Sequence, residues 1–130
     1  MILIIGGSGF IGYYLHQGFV KSKKRVISTY NTNKIEEENF IRLDVNNKKN
    51  LGKLINELKP SIIIYAVGIT DVDLCEKNKK LAKEINCDGI KNIVDVTKSS
   101  IKVGVLYQSI ISLCFSLFSR FSKILRTEFV

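Results

Sequence analysis

The chain has 130 residues, 45% of them hydrophobic and 25% charged, which is enough for one compact domain with its own core and too few for two. Three cysteines, Cys75, Cys87 and Cys114, stand too far apart to begin a zinc site or a redox motif. A net charge of +8 raises nucleic acid as a partner, but the lysines and arginines fall on predicted helix ends and faces without the stacking aromatics such a surface needs, so no nucleic acid is expected.

Met1 to Ile5 is an unbroken apolar run that meets glycine at once, the pattern of a strand buried on both faces of a parallel sheet. No basic leader or cleavage pattern precedes it, so the chain is expected to stay in the cytoplasm. From Phe10 to about Lys21 the residues Ile11, Leu15 and Phe19 recur at helical spacing. Lys21, Lys23, Lys24 and Arg25 close that helix, where cations complement its dipole. Arg25 to Tyr30 is rich in β-branched and aromatic residues and reads as a second strand.

Ile35 to Asn39 is an acidic surface piece, and Phe40 to Val45 is a short third strand ending in an Asn-rich turn. Leu51, Leu54, Ile55 and Leu58 mark a helix that Pro60 ends, and Ser61 to Val67 is the most strand-like run in the chain. A helix from about Lys77 to Lys98, carried by Leu81, Ile85, Ile90, Ile93 and Val94, is expected to break or bend near Gly89. A fifth strand follows near Lys102. Strands alternating with helices predict an α/β fold, a doubly wound parallel sheet of about five strands with right-handed crossovers. Ligands then sit beyond the carboxyl ends of the strands, where Gly6–Gly12 and Val67–Asp73 both fall.

The run Gly6-Gly7-Ser8-Gly9-Phe10-Ile11-Gly12 spaces glycines as G-x-x-G-x-x-G between a predicted strand and a predicted helix. Gly6 or Gly7 permits the turn out of the strand, Gly9 lets backbone approach a pyrophosphate, and Gly12 lets the helix pack close to the sheet. The amides that open the helix, at Phe10 and Ile11, face the phosphates with a positive dipole end. A nicotinamide dinucleotide is therefore the expected partner, with a merely structural turn as the competing reading. An acidic residue that would hold the adenosine ribose of NAD is missing from Tyr30-Asn31-Thr32-Asn33-Lys34, since no carboxylate occurs before Glu36. NADP is thus slightly preferred over NAD, with Lys34 available to a 2′-phosphate and a solvated turn at Asn31 to Lys34 as the competing reading.

With these residues the chain resembles the extended short-chain dehydrogenase/reductases, and its later segments resemble their dTDP-4-dehydrorhamnose reductase branch. Those segments are Ala66 to Glu76, with Thr70-x-Val72-Asp73-x-x-Glu76, and Ala82-x-x-x-Asn86-x-x-Gly89-x-x-Asn92. The resemblance implies a Rossmann domain in which Gly6, Gly9 and Gly12 hold pyrophosphate and Asp44 and Val45 flank the adenine. It places Asn31 near the adenosine ribose and Val67, Gly68 and Thr70 on the nicotinamide side. It further implies NADPH-dependent reduction of a 4-keto nucleotide-sugar. Simpler readings stand beside it: Asp44 as a turn-forming residue, Asp71, Asp73 and Glu76 as a charged helix start, and Asn86 as a partner for backbone groups.

The resemblance covers 1–103 and then stops. The Ser/Thr-Asp-Tyr segment and the Tyr-x-x-x-Lys pair of the family, which give the substrate carbonyl its proton, do not follow: Ile111 stands four places after Tyr107, and no later tyrosine exists. No catalytic residue is assigned, and none as a metal ligand; His16, the only histidine, sits mid-helix. The reading is of a truncated or frameshifted reductase-like chain, with 1–103 as an NAD(P)-binding domain and 104–130 as a divergent apolar tail. Val103 to Phe118 carries no charge but is diluted by serines and a glutamine, so an interface for a protein partner is expected there before a membrane anchor. A non-catalytic, dinucleotide-binding regulatory subunit is the alternative function.

Overall fold

The computed structural model describes residues 1–97 and 101–105. The chain runs β1 (Ile2–Ile5), α1 (Phe10–Lys21), β2 (Val26–Tyr30), β3 (Phe40–Arg42), α2 (Lys48–Leu58), β4 (Ile62–Tyr65), α3 (Val72–Lys77), α4 (Lys79–Lys83), a π-helical turn (Glu84–Asp88), α5 (Gly89–Val96) and β5 (Lys102–Val105). The five strands form one sheet in the order β3-β2-β1-β4-β5, and every pairing is parallel. This is a Rossmann-like α/β fold. The expected tail beginning at 104 falls within β5, and its remaining residues lie outside those described.

The most apolar strands take the most covered places. β1 and β4 pair at the centre, Ile2 beside Ile62 through Ile5 beside Tyr65. Because successive side chains point to opposite faces, Leu3, Ile5, Ile63 and Tyr65 join Leu51, Leu54, Ile55 and Ile93 of α2 and α5 in the main core. Ile4 and Ser28, both fully buried, serve the other face. There α1 packs, with His16 reaching Ser28.

Helix α1 buries Gly12 and His16 rather than a wide apolar stripe. Ile11, Leu15 and Phe19 flank that line and are half-buried. Helix α2 opens with Asn47, whose side chain accepts from the Asn50 N–H at 3.0 Å. It closes at Lys59, in the left-handed region with φ 46°, just before the buried Pro60.

The interruption expected near Gly89 is present, and it falls in the residues just before it. Gly89 is ordinary right-handed helix, with φ −58° and ψ −44°. The irregularity is the π turn that precedes it, where an extra residue enters the ladder. Gly89 serves close packing: a Cβ there would collide with the Tyr65 hydroxyl and sit 3.1 Å from Val45 Cγ2. The Tyr65 hydroxyl donates to the Ile85 carbonyl at 2.7 Å, so the π turn is tied to the sheet at that point.

Candidate functional site

From β1 the chain turns back into α1 through a loop held by its own backbone. Gly6 has φ +88°, a conformation that side chains disfavour, and its N–H donates to Thr29 Oγ1 at 3.2 Å. The Gly6 carbonyl accepts from the Gly9 N–H at 3.1 Å. A Cβ on Gly12 would run into that same carbonyl, so α1 lies as near the strand end as glycine allows.

Gly9 differs from its neighbours in the loop. Its φ of −76° suits any residue, it is exposed, and among the described residues a Cβ there would meet only the Gly6 carbonyl, at 3.4 Å. It is also the N-cap of α1, with no side chain capping the helix and no acid in the first turn. The amides that begin a helix lack intrahelical partners, and here they emerge beside a bare Cα. The loop therefore fits an anionic group brought against its backbone, which is the requirement of a dinucleotide pyrophosphate. Gly6, Gly9, Phe10, Ile11 and Gly12 are brought together here; Phe10 is 89% exposed and Ile11 half-buried.

Sheet order puts the carboxyl end of β4 next to this loop. The chain leaves β1 toward β2 on one side and returns through β4 on the other, which makes the β1–β4 crevice the switch point where such sheets take ligands. Val67 packs over Gly6, close enough that a Cβ on Gly6 would stand 2.6 Å from Val67 Cγ2. Gly68 and Thr70 are exposed along the same loop. Asn86, in the π turn, holds that loop by accepting from the Ile69 N–H at 2.8 Å and donating to the Ile69 carbonyl at 3.1 Å. The reading of Asn86 as a partner for backbone is thus the one observed. Asp71 caps α3 by accepting from the Leu74 N–H at 3.0 Å, so it too has a structural role.

On the other side, Asn31 is exposed after β2. Lys34 pairs with Glu36 at 3.1 Å with both side chains largely in solvent. Asp44 Oδ1 accepts from the Asn46 N–H at 2.9 Å, the turn-forming role. Val45 turns its side chain into the core, and its carbonyl accepts from Asn92 at 3.1 Å. A Tyr-x-x-x-Lys spacing does occur at Tyr30 and Lys34. It straddles the end of β2 and a loop, so the two are not stacked on one helix face.

A cluster that no motif announces lies between α1 and the segment joining β2 to β3. Glu37 accepts from the Tyr13 hydroxyl at 2.8 Å and from Gln17 Nε2 at 3.5 Å, and it lies 3.8 Å from His16 Nε2. His16 Nδ1 is 2.7 Å from Ser28 Oγ, and its ring lies 4.5 Å from that of Phe40. Burial holds the His16 imidazole below its ordinary pKa, with Glu37 opposing that effect. The Glu37 hydrogen bond holds the Tyr13 phenol above its ordinary value, so Tyr13 stays a donor. Among the described residues no group of His, Cys, Asp and Glu could hold a metal.

Known proteins bear on this geometry. The profile of the RmlD substrate binding domain matches residues 1–110. The chain belongs to that family. A dTDP-4-dehydrorhamnose reductase from Sulfolobus tokodaii, described as hypothetical, superposes with TM-score 0.71 at 31% identity, covering 80% of this chain and 37% of that one. The dTDP-4-dehydrorhamnose reductase of Bacillus anthracis, solved with NADP, gives TM-score 0.64 at 24% identity over 78% of this chain and 34% of its own. The sterol-4-alpha-carboxylate 3-dehydrogenase of Saccharomyces cerevisiae is 26% identical over 80% of this chain and 32% of its length. This RmlD-family chain therefore spans about a third of the length of the relatives it matches. The resemblance drawn from Gly6–Gly12 and from 66–92 is upheld.

Proposed function

We propose that this RmlD-family chain binds NAD(P)(H) at the β1–β4 crevice, the pyrophosphate lying against Gly6, Gly9 and Gly12 and the first amides of α1. The observation that carries the proposal is Gly9: nothing among the described residues demands glycine there, and a Cβ would project where the proposed pyrophosphate lies. Val67, Gly68 and Thr70, steadied by Asn86, face the nicotinamide end, while Asn31, Lys34 and the backbone at Asp44 and Val45 face the adenosine end. Lys34 is exposed and its pair with Glu36 is worth little in water, so it is free to meet a 2′-phosphate. NADP is preferred on that ground. Related structures solved with NAD or NADP include a Thermus thermophilus UDP-glucose 4-epimerase with NAD, at 23% identity, and the Bacillus anthracis reductase with NADP.

When bound, the reduced nicotinamide supplies a hydride to a substrate carbonyl, which in the proposed reaction is that of a 4-keto nucleotide-sugar. The chain's own residues orient the dinucleotide. Among residues after β4 no tyrosine has a lysine four places on, so the proton donor of the proposed reaction is not assigned to a residue of this sequence. Action in the cytoplasm is part of the proposal; no helix among the described residues is long and apolar enough to cross a membrane. Titration of the protein with NADPH and NADH, followed by nicotinamide fluorescence, tests the reading. Saturable enhancement, stronger for NADPH, is expected, and no response to either dinucleotide would overturn it.

A further inference from the structure

The Glu37 cluster joins the two elements that the proposed function uses at opposite ends of the adenosine diphosphate. Helix α1 presents its N-terminus to the pyrophosphate, and the segment 31–39 follows β2 where the adenosine ribose would lie. Tyr13, His16 and Gln17 stand at i, i+3 and i+4 and so share one face of α1. All three converge on one carboxylate across the gap. Beneath them the contact is continuous. A Cβ on Gly7 would strike Ser28 and stand 3.2 Å from the Phe40 ring, Ser28 meets His16, and Phe40 packs on both His16 and Tyr13.

The geometry points to Glu37 as a positioning residue, a latch that fixes the 31–36 segment relative to the glycine loop and so presets the adenosine half of the dinucleotide site. This rests on the proposed dinucleotide reading and adds to it a residue outside the glycine motif. The chain from Tyr30 to Glu37 is exposed apart from half-buried Tyr30 and Ile35, so core packing alone holds little of it. Its anchors are the Glu37 contacts to α1 and the turn in which the Phe40 N–H donates to the Glu37 carbonyl at 3.1 Å. With the carboxylate drawn onto α1, its charge is also occupied by donors instead of facing an incoming phosphate. Fixing a loop in its bound conformation raises affinity by lowering the ordering cost.

The test compares wild type with Tyr13→Phe, Glu37→Ala, the double variant and Glu37→Gln, titrating each with NADPH and with ADP and recording thermal stability. Glu37→Ala and Tyr13→Phe are each expected to weaken both ligands by about five- to tenfold, and the double variant to be no weaker than Glu37→Ala, because the two groups act as one unit. Glu37→Gln is expected to recover most of the affinity, since its amide oxygen still accepts from Tyr13. Unchanged or tighter binding by Glu37→Ala, additive losses in the double variant, or no recovery in Glu37→Gln overturns the latch while leaving the dinucleotide reading intact. Wild type that binds neither NADPH nor ADP overturns both.

Discussion

Asn86 grips Ile69 by both of its backbone groups, the Ile69 N–H at 2.8 Å and the Ile69 carbonyl at 3.1 Å. The side chain comes from the π turn, the loop from the end of the central strand β4. A residue late in the β4–β5 crossover thereby sets the height of the loop that opens it and bears Gly68 and Thr70. Asn86→Ala removes both bonds, leaving the part-buried Ile69 N–H without its acceptor and the carbonyl with the weak Cys75 thiol donor at 3.6 Å, a loss expected to cost about 1–3 kcal/mol. Urea denaturation of the two proteins measures it. A change below a few tenths of a kcal/mol would show that solvent replaces the side chain at no cost.

Gly89 and Tyr65 are predicted to be energetically coupled. Gly89→Ala drives a methyl into the Tyr65 hydroxyl, and overpacking of this kind typically costs about 1–3 kcal/mol. Tyr65→Phe removes the oxygen, at the expense of its bond to the Ile85 carbonyl. The double variant should therefore be more stable than the sum of the two single losses implies, and a denaturation cycle that comes out additive would rule the contact out.

His16 makes stability depend on pH. Burial lowers its folded pKa below the ordinary 6.5, with Glu37 only partly offsetting the effect. A lowered folded pKa means that the unfolded chain takes up the proton first as pH falls. The contribution is complete above about pH 6.5 and is lost as pH falls from there through the folded value. Asp95, whose hydrogen bond to Lys48 lowers its pKa from 3.8, acts in a separate, more acidic window. The melting temperature should fall between pH 7 and pH 5 in wild type and change less in His16→Asn; equal slopes in the two proteins would contradict the assignment.

Much of the fold was legible because periodicity and glycine placement agree. The apolar runs at 2–5 and 62–65 became the paired central strands, and Gly6 to Gly12 became the turn into α1. The π turn was missed, although one sign was present. The apolar positions step from Ile85 to Ile90 by five residues where an α-helix steps by three or four, which is the footprint of an inserted residue. Gly89 drew attention as a helix breaker, while its reason is a tyrosine from a strand far away in sequence.

The site was legible to a different depth at each end. The backbone roles of Gly6 and Gly12 follow from local spacing. The Glu37 cluster does not, because nothing in an acidic surface run says which carboxylate folds back onto α1, and Tyr13, His16 and Gln17 carry no motif. Val45 was read as an adenine neighbour from resemblance alone, and its side chain is packed in the core; any contact it makes to the base must come through backbone.

Gly9 is proposed to be glycine for a ligand and not for the fold. Gly9→Ala keeps an allowed φ and adds a methyl that meets only the Gly6 carbonyl at 3.4 Å, so stability should stay within about 1 kcal/mol of wild type, the scale of an N-cap change. Side-by-side fluorescence titration of wild type and Gly9→Ala with NADPH should show saturable binding in the first and a loss of at least about tenfold in the second, from a methyl placed against the pyrophosphate. Equal affinity in two equally stable proteins would contradict the account.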